Sequence, residues 1–343
     1  MKRTALAFCL LLSPTIAQAQ TNACDRTCLT GFIDQYLDAL VAQDPKRLPT
    51  APNVKYTENG QTLRLGDGFW NSAIGKGRYR LDVADPTAGQ VATFVTMREA
   101  PANPVLMALR LKVENRRITE VEEIVARSDM AVNGVKALEA MGKPREAFLR
   151  ATPPADRVSR TELVRVANMY FSGMQKNDGK GQYPFADDCD RLENGGKTTN
   201  APSVPGRNGG PPRTTKLDPK TATNYDTMWS CREQFESGLL HFVYRIRDRR
   251  YLLVDQERGL VLAFAFFDHP AGKTRTFQIP DGRTVTAGPQ QPWTWEIAEL
   301  FKVEKGTLHE IEAVLERAPY GMTSGWSAWD AAMSDRIQFA GPR

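Results

Sequence analysis

Apolar residues recur at helical spacing in two places: Ile33, Tyr36, Leu37 and Leu40, and then Leu163, Val166, Ala167 and Tyr170. The first set predicts a helix over about Cys24–Gln43, the second one over about Arg160–Gln175. Each helix is followed by an Asn-Gly pair, Glu58-Asn59-Gly60 and Glu193-Asn194-Gly195. Asn-Gly favours a tight hairpin turn with positive φ. Runs rich in Val, Phe, Tyr and Leu then predict long strands, among them Leu239–Ile246 and Tyr251–Phe267. Each series closes with a hairpin, Leu109–Arg127 or Trp295–Arg317, with Asn115 and Lys305-Gly306 as turn residues.

The two series are copies of one another. The segment Lys112–Arg127 (KVENRRITEVEEIVAR) aligns without a gap on Lys302–Arg317 (KVEKGTLHEIEAVLER). Upstream, Asp85, Gly89, Val91 and Phe94 match Asp255, Gly259, Val261 and Phe264 at the same spacing. A fixed internal correspondence of this kind marks a duplicated unit. The expected organisation is a first domain over residues 20–127, a linker over 128–159 with a short helical pattern at Val132–Met141, and a second domain over 160–343. A Gly/Pro-rich insertion at 195–223 belongs to the second domain alone.

The N-terminus sets the compartment. Lys2 and Arg3, the apolar run Ala5–Leu12 and the small-x-small signal Ala17-Gln18-Ala19 form an export signal over residues 1–19. The apolar run is shorter than the roughly 20 residues that span a bilayer. The expectation is a periplasmic or secreted protein with no membrane span. Removal of the signal, which carries Cys9, leaves Cys24, Cys28, Cys189 and Cys231. Four cysteines in an oxidising compartment allow three pairings. Cys24 with Cys28 is sterically feasible on one helical turn, and Cys189 with Cys231 then closes the loop around the insertion. No C-x-x-C pair occurs and the histidines lie away from the cysteines in sequence, so no metal is expected. The same removal lowers the formal net charge from +5 to +3. With no basic run interleaved with aromatics, nucleic acid is not an expected partner.

A leading helix, a strongly curved antiparallel sheet and a closing K-V-x-x-x-x-I-x-E-I-E hairpin resemble the NTF2-like (SnoaL-like) superfamily. The segments Phe185–Gly195 (FADDCDRLENG) and Ala318–Trp326 (APYGMTSGW) look like those of exported bacterial and fungal members. The resemblance implies an α+β protein of two cone-shaped domains, each a helix packed in a curved antiparallel sheet with a cavity at its mouth. It also implies a range of activities: cofactor-free isomerases, cyclases, dehydratases, hydrolases and lyases, beside members that only bind partners. Fold alone does not choose among them.

Proton transfer in an apolar cavity needs an inward carboxylate or imidazole, a hydrogen-bond donor and aromatic walls. The three histidines, His241, His269 and His309, all lie in the second half. By the two-residue period of strands, His309 shares a face with Ile311 and Ala313, and His241 with Leu239 and Val243. Asp187, Asp188, Asp190, Arg191 and Glu193 surround Cys189, either as a solvated turn or as a pocket rim. The catalytic candidates are His309, Asp187, His241 and Tyr170. Arg191, Trp293, Trp295 and Tyr320 are the substrate-binding candidates. Asp268 and His269 are adjacent on a strand, so they point to opposite faces and make no direct dyad. Glu58, Glu120 and Glu122 have second-half counterparts and read as shared scaffold.

No phosphate-cradling Gly loop, nucleophile elbow or H-E-x-x-H occurs. The expectation is a cofactor-free lyase, dehydratase or isomerase acting on a small hydrophobic or aromatic molecule. The alternative is a non-catalytic ligand-binding or protein-interaction module. Either is expected as a pseudo-dimeric monomer or a homodimer.

Overall fold

The computed structural model describes residues 24–202 and 213–339. The export signal and Cys9 lie outside the described residues. The first half runs α1 (Arg26–Val41), β1 (Thr50–Glu58), β2 (Gln61–Leu63), β3 (Ala73–Asp85), β4 (Gln90–Glu99), β5 (Asn103–Glu114) and β6 (Arg117–Ala126). Helices α2 (Asp129–Met141) and α3 (Glu146–Leu149) follow. The second half runs α4 (Arg160–Met174), β7 (Phe185–Glu193), β8 (Gly196–Lys197), α5 (Cys231–Glu236), β9 (Arg245–Asp255) and β10 (Leu260–His269). A small hairpin, β11 (Thr276–Gln278) and β12 (Thr284–Thr286), precedes β13 (Trp293–Glu304) and β14 (Thr307–Ala318). Helix α6 (Trp329–Ala332) and β15 (Ile337–Phe339) end the described chain.

The protein is α+β, with one large sheet from each half. The first sheet has the order β2-β1-β6-β5-β4-β3, and the second β8-β7-β14-β13-β10-β9-β15. Apart from β15, the second order repeats the first. Both sheets are mixed, which corrects the expectation of purely antiparallel ones. The first strand of each half runs parallel to its last, β1 beside β6 and β7 beside β14. After β1 and β2 the chain crosses to the far edge of the sheet, and the successive antiparallel strands β3, β4 and β5 bring β6 back alongside β1. Two strand boundaries also differ from the expectation. Tyr251–Phe267 is two strands, because Gly259 at φ +62° turns the chain between β9 and β10. Leu239–Tyr244 forms turns rather than a strand. The Asn-Gly pairs do turn with positive φ, Asn59 and Gly60 at 47° and 70°, Asn194 and Gly195 at 46° and 77°.

Alternation along the strands gives each sheet two buried faces. One face packs on its own leading helix: Leu29, Ile33, Tyr36, Leu37 and Leu40 in the first half, Leu163, Val166, Ala167, Tyr170 and Phe171 in the second. The opposite faces pack on each other. Tyr79, Leu81, Phe94, Leu106 and Ile124 meet Leu253, Leu262, Phe264, Leu300 and Val314 in one apolar cluster. The contacts between halves are reciprocal. Arg26 at the start of α1 pairs with Asp255 at 2.6 Å, and Arg160 at the start of α4 pairs with Asp85 at 2.5 Å. Helix α2 is no free linker: its Ala131, Val135 and Leu138 belong to the same cluster. Gly134 lies so close to the Asn194–Gly195 turn that a β-carbon there would meet the Asn194 carbonyl oxygen at 1.6 Å.

Both disulfides form, Cys24–Cys28 and Cys189–Cys231, with Cα separations of 5.2 and 6.0 Å. Among the described residues no helix is long and apolar enough to cross a membrane.

Candidate functional site in the second half

A cavity of about 420 Å³ opens between α4 and the inner face of the second sheet. Strand alternation decides what lines it. Trp293, Trp295, Ile297 and Glu299 project inward from β13, while Glu296, Ala298 and Leu300 project outward toward the first half. Arg191 and Glu193 project inward from β7, one step from Cys189 on the same face. Tyr170 and Met174, four residues apart on α4, form the helical wall. The loop before α5 contributes Asn224 and Tyr225, and Phe242 lies beside them with its ring stacked on Tyr225.

The closed end is polar. Arg191, 2% exposed, donates from Nε to Thr198 at 2.8 Å, from Nη1 to the Tyr170 hydroxyl at 3.2 Å and from Nη2 to Gln234 at 2.6 Å. Its Nε also lies 3.1 Å from the Glu193 carboxylate. Tyr170 lies beside the Glu299 carboxyl and favours its charged form. Glu299 is 1% exposed, and its Oε2 has no hydrogen-bond partner. Burial, and then repulsion from Glu193, push Glu299 up to about 8. Two carboxyl groups thus share one cavity. Glu193 is held by a guanidinium, and Glu299 keeps its proton at neutral pH.

The mouth is aromatic. His269 stacks on Trp293 with ring centroids 4.1 Å apart, and Trp293 meets Trp295 edge-on at 4.5 Å. Burial holds His269 down at about 4, so the ring is neutral at physiological pH. Its Nδ1 has no hydrogen-bond partner.

Of the candidates named from sequence, Tyr170, Arg191, Trp293 and Trp295 line this cavity; His309, Asp187, His241 and Tyr320 do not. His309 fails for a local reason. The β13–β14 register shifts between Lys302↔Glu310 and Val303↔Leu308. That bulge inserts one residue and reverses the alternation. Leu308 therefore enters the core beside Ile311 and Ala313, and His309 turns outward to pair with Asp188 at 2.7 Å. Asp187 is exposed on β7. His241 sits on a turn, stacked 4.6 Å from Phe277, with Nδ1 3.1 Å from the Asn177 carbonyl. Tyr320 is 43% exposed beyond the end of β14. Glu299 escaped the sequence reading because EIAELFKV mixes apolar and charged residues and does not show which of the charged ones are buried. The only sequence signal was its parity with Trp293, Trp295 and Ile297.

The first half has a related polar centre. The Tyr56 hydroxyl lies 3.1 Å from Glu58 and 3.0 Å from Glu123, and burial followed by Glu58 pushes Glu123 up to about 8. One hydroxyl proton cannot serve two carboxylates, so a protonated Glu123 completes the pair. Trp70 fills the space above, donating its indole N–H to Tyr36 at 3.0 Å. Among the described residues no three His, Cys, Asp or Glu side chains gather as a metal site.

These features define a class: a duplicated α+β protein with an acid-bearing cavity in its second unit. The family described as "Domain of unknown function (DUF8021)" matches residues 22–125 and 156–315, one segment per half, and the chain belongs to that family. No curated protein matches the sequence.

Proposed function

We propose that the protein is an exported, cofactor-free enzyme that moves a proton on a small, flat, hydrophobic molecule held in the second-half cavity, as a lyase, dehydratase or isomerase. The reading takes each half as an NTF2-like cone, in keeping with the sequence resemblance and with the repeated strand order. The observation that carries it is Glu299: a carboxyl at the closed end of an aromatic cavity, protonated at neutral pH, with one oxygen unpartnered.

The chemistry follows from the two carboxyl groups in the cavity. The Glu193 carboxylate accepts a proton from a carbon next to a carbonyl, with Arg191 fixing its position. Glu299 donates its hydrogen bond to the carbonyl oxygen as negative charge builds there, with Tyr170 beside the same carboxyl. The proton then returns from Glu193 to the substrate carbon or accompanies a leaving group. Aromatic walls exclude water and strengthen both interactions.

One observation favours binding without catalysis: the donors of Arg191 are engaged by the protein itself. The two readings separate in one experiment. With 2-tetralone in D₂O, NMR reports deuterium entering next to the carbonyl. We expect the wild type to exceed buffer, and Glu193→Gln and Glu299→Leu each to lower exchange by about 10²-fold or more. His309→Ala and Asp187→Ala leave it unchanged. Ligand-induced quenching of tryptophan fluorescence with no catalysed exchange would make the protein a binding module.

A further inference from the structure

The lining residues of β13 run in one line. From Glu299 to Trp293 the strand advances six residues, about 20 Å at ~3.3 Å per residue, with no break in its register against β10. Across that register Glu299 stands opposite Ala263 and Trp293 opposite His269. The cavity is therefore a slot, closed at Glu299 and open near His269. Between those ends Ile297, Trp295, Phe267 and Leu315 offer apolar surface only.

Two side chains that line the slot have buried polar atoms with no partner, and they stand at opposite ends: Glu299 Oε2 and His269 Nδ1. A buried polar atom left unpaired costs roughly 1–3 kcal/mol, so a ligand oxygen that reaches the side chain at either end is favoured. His269 is 3% exposed, and its stacking on Trp293 fixes the ring plane. A hydroxyl both donates and accepts, and so suits either tautomer of a neutral imidazole.

We infer that the slot selects an elongated, flat aromatic ligand carrying an oxygen at each end, the inner one meeting Glu299 and the outer one, a hydroxyl, meeting His269. This rests on the cavity being the ligand site, and it assigns His269 as the residue that sets ligand length and outer chemistry. It is not a catalytic residue, because the proton moves at the other end.

Three probes test the assignment through quenching of tryptophan fluorescence: 2-naphthol, which reaches the inner end alone, 4-hydroxystilbene, and 4,4′-dihydroxystilbene. In the wild type the dihydroxy compound binds at least tenfold more tightly than the monohydroxy one. His269→Phe keeps the aromatic stack and removes that preference, while 2-naphthol binds as before. His269→Gln, which retains a donor and an acceptor, keeps part of the preference and controls for disturbed folding. Equal affinity for the two stilbenes in the wild type, or a preference that survives His269→Phe, overturns the assignment while 2-naphthol binding leaves the cavity reading standing. Failure of all three probes to bind removes both.

Discussion

Glu123, Glu296 and Glu299 each lie out of water, and burial pushes all three up to about 8. Glu312 is pushed up to about 7 for the same reason, against the pull of its hydrogen bond from Tyr79. A carboxyl raised in this way binds its proton more tightly folded than unfolded. Its contribution to stability is complete below its ordinary 4.5 and is lost as pH rises through 7 to 8. His269 works in the opposite sense: held at about 4, it contributes fully above its ordinary 6.5 and loses that contribution as pH falls. Between pH 6.5 and 8.5 the glutamates decide the slope. We expect the thermal midpoint to fall over that interval, and Glu299→Gln or Glu123→Gln to flatten the fall. A midpoint that holds or rises there in the wild type contradicts the buried, protonated state. The identities of these glutamates were plain in the sequence but their protonation was not, since it depends on neighbours from distant strands: Glu58 for Glu123, Glu193 for Glu299, Glu122 for Glu296.

At the scale of elements, the site depends on how α5 and β7 are tied. Ser230 and Glu233 form a reciprocal capping box at the start of α5, with the Ser230 side chain accepting from the Glu233 amide and the Glu233 carboxylate accepting from the Ser230 amide. The next residue, Gln234, accepts from Arg191 and donates to the carbonyls of Thr198 and Asp226. The Cys189–Cys231 disulfide joins the same two elements across 42 residues of sequence. Loop-closure entropy for a ring of that size is worth about 4 kcal/mol. Reduction, or Cys189→Ser with Cys231→Ser, is expected to lower stability by about 2–4 kcal/mol in denaturant titrations and to weaken probe binding in the cavity. Ser230→Ala is expected to cost about 1 kcal/mol; a loss under a few tenths would show that the box does not hold α5.

The helices, the Asn-Gly turns and the closing hairpins were legible because helix periodicity and turn chemistry are local. The bulge at His309 was not. A single inserted residue leaves no compositional trace, yet it moves an imidazole from one side of the sheet to the other. The segment Leu239–Tyr244 misled in the same way: its apolar residues pack into the core from turns, and composition alone does not tell that from a strand.

Across the whole molecule the halves meet like the protomers of a two-fold dimer, each giving the same surface. Arg26 to Asp255 and Arg160 to Asp85 are one contact made twice. Two further contacts cross between the halves without being copies of one another, Arg250 donating to Glu122 and Tyr79 to Glu312. The two arginine contacts differ in exposure, the Arg26 side chain at 25% and Arg160 at 10%. Arg160→Met leaves Asp85 buried without its partner and is expected to cost about 3–5 kcal/mol, whereas Arg26→Met costs less. Equal losses would show that burial does not separate them. Because Leu81, Phe94, Leu262 and Val314 share one cluster across the two halves, either half expressed alone is expected to expose part of this face and aggregate.

By itself the sequence determined that a unit of helix and strands occurs twice, where its turns fall and which cysteines were available to pair, because periodicity, turn chemistry and repetition are properties of neighbouring residues. Tertiary structure alone decided which ionisable groups face the cavity and which carboxyls keep their protons. Those outcomes depend on strand register, on burial and on charges brought together from β7, β10, β13 and α4, and no stretch of chain encodes them separately.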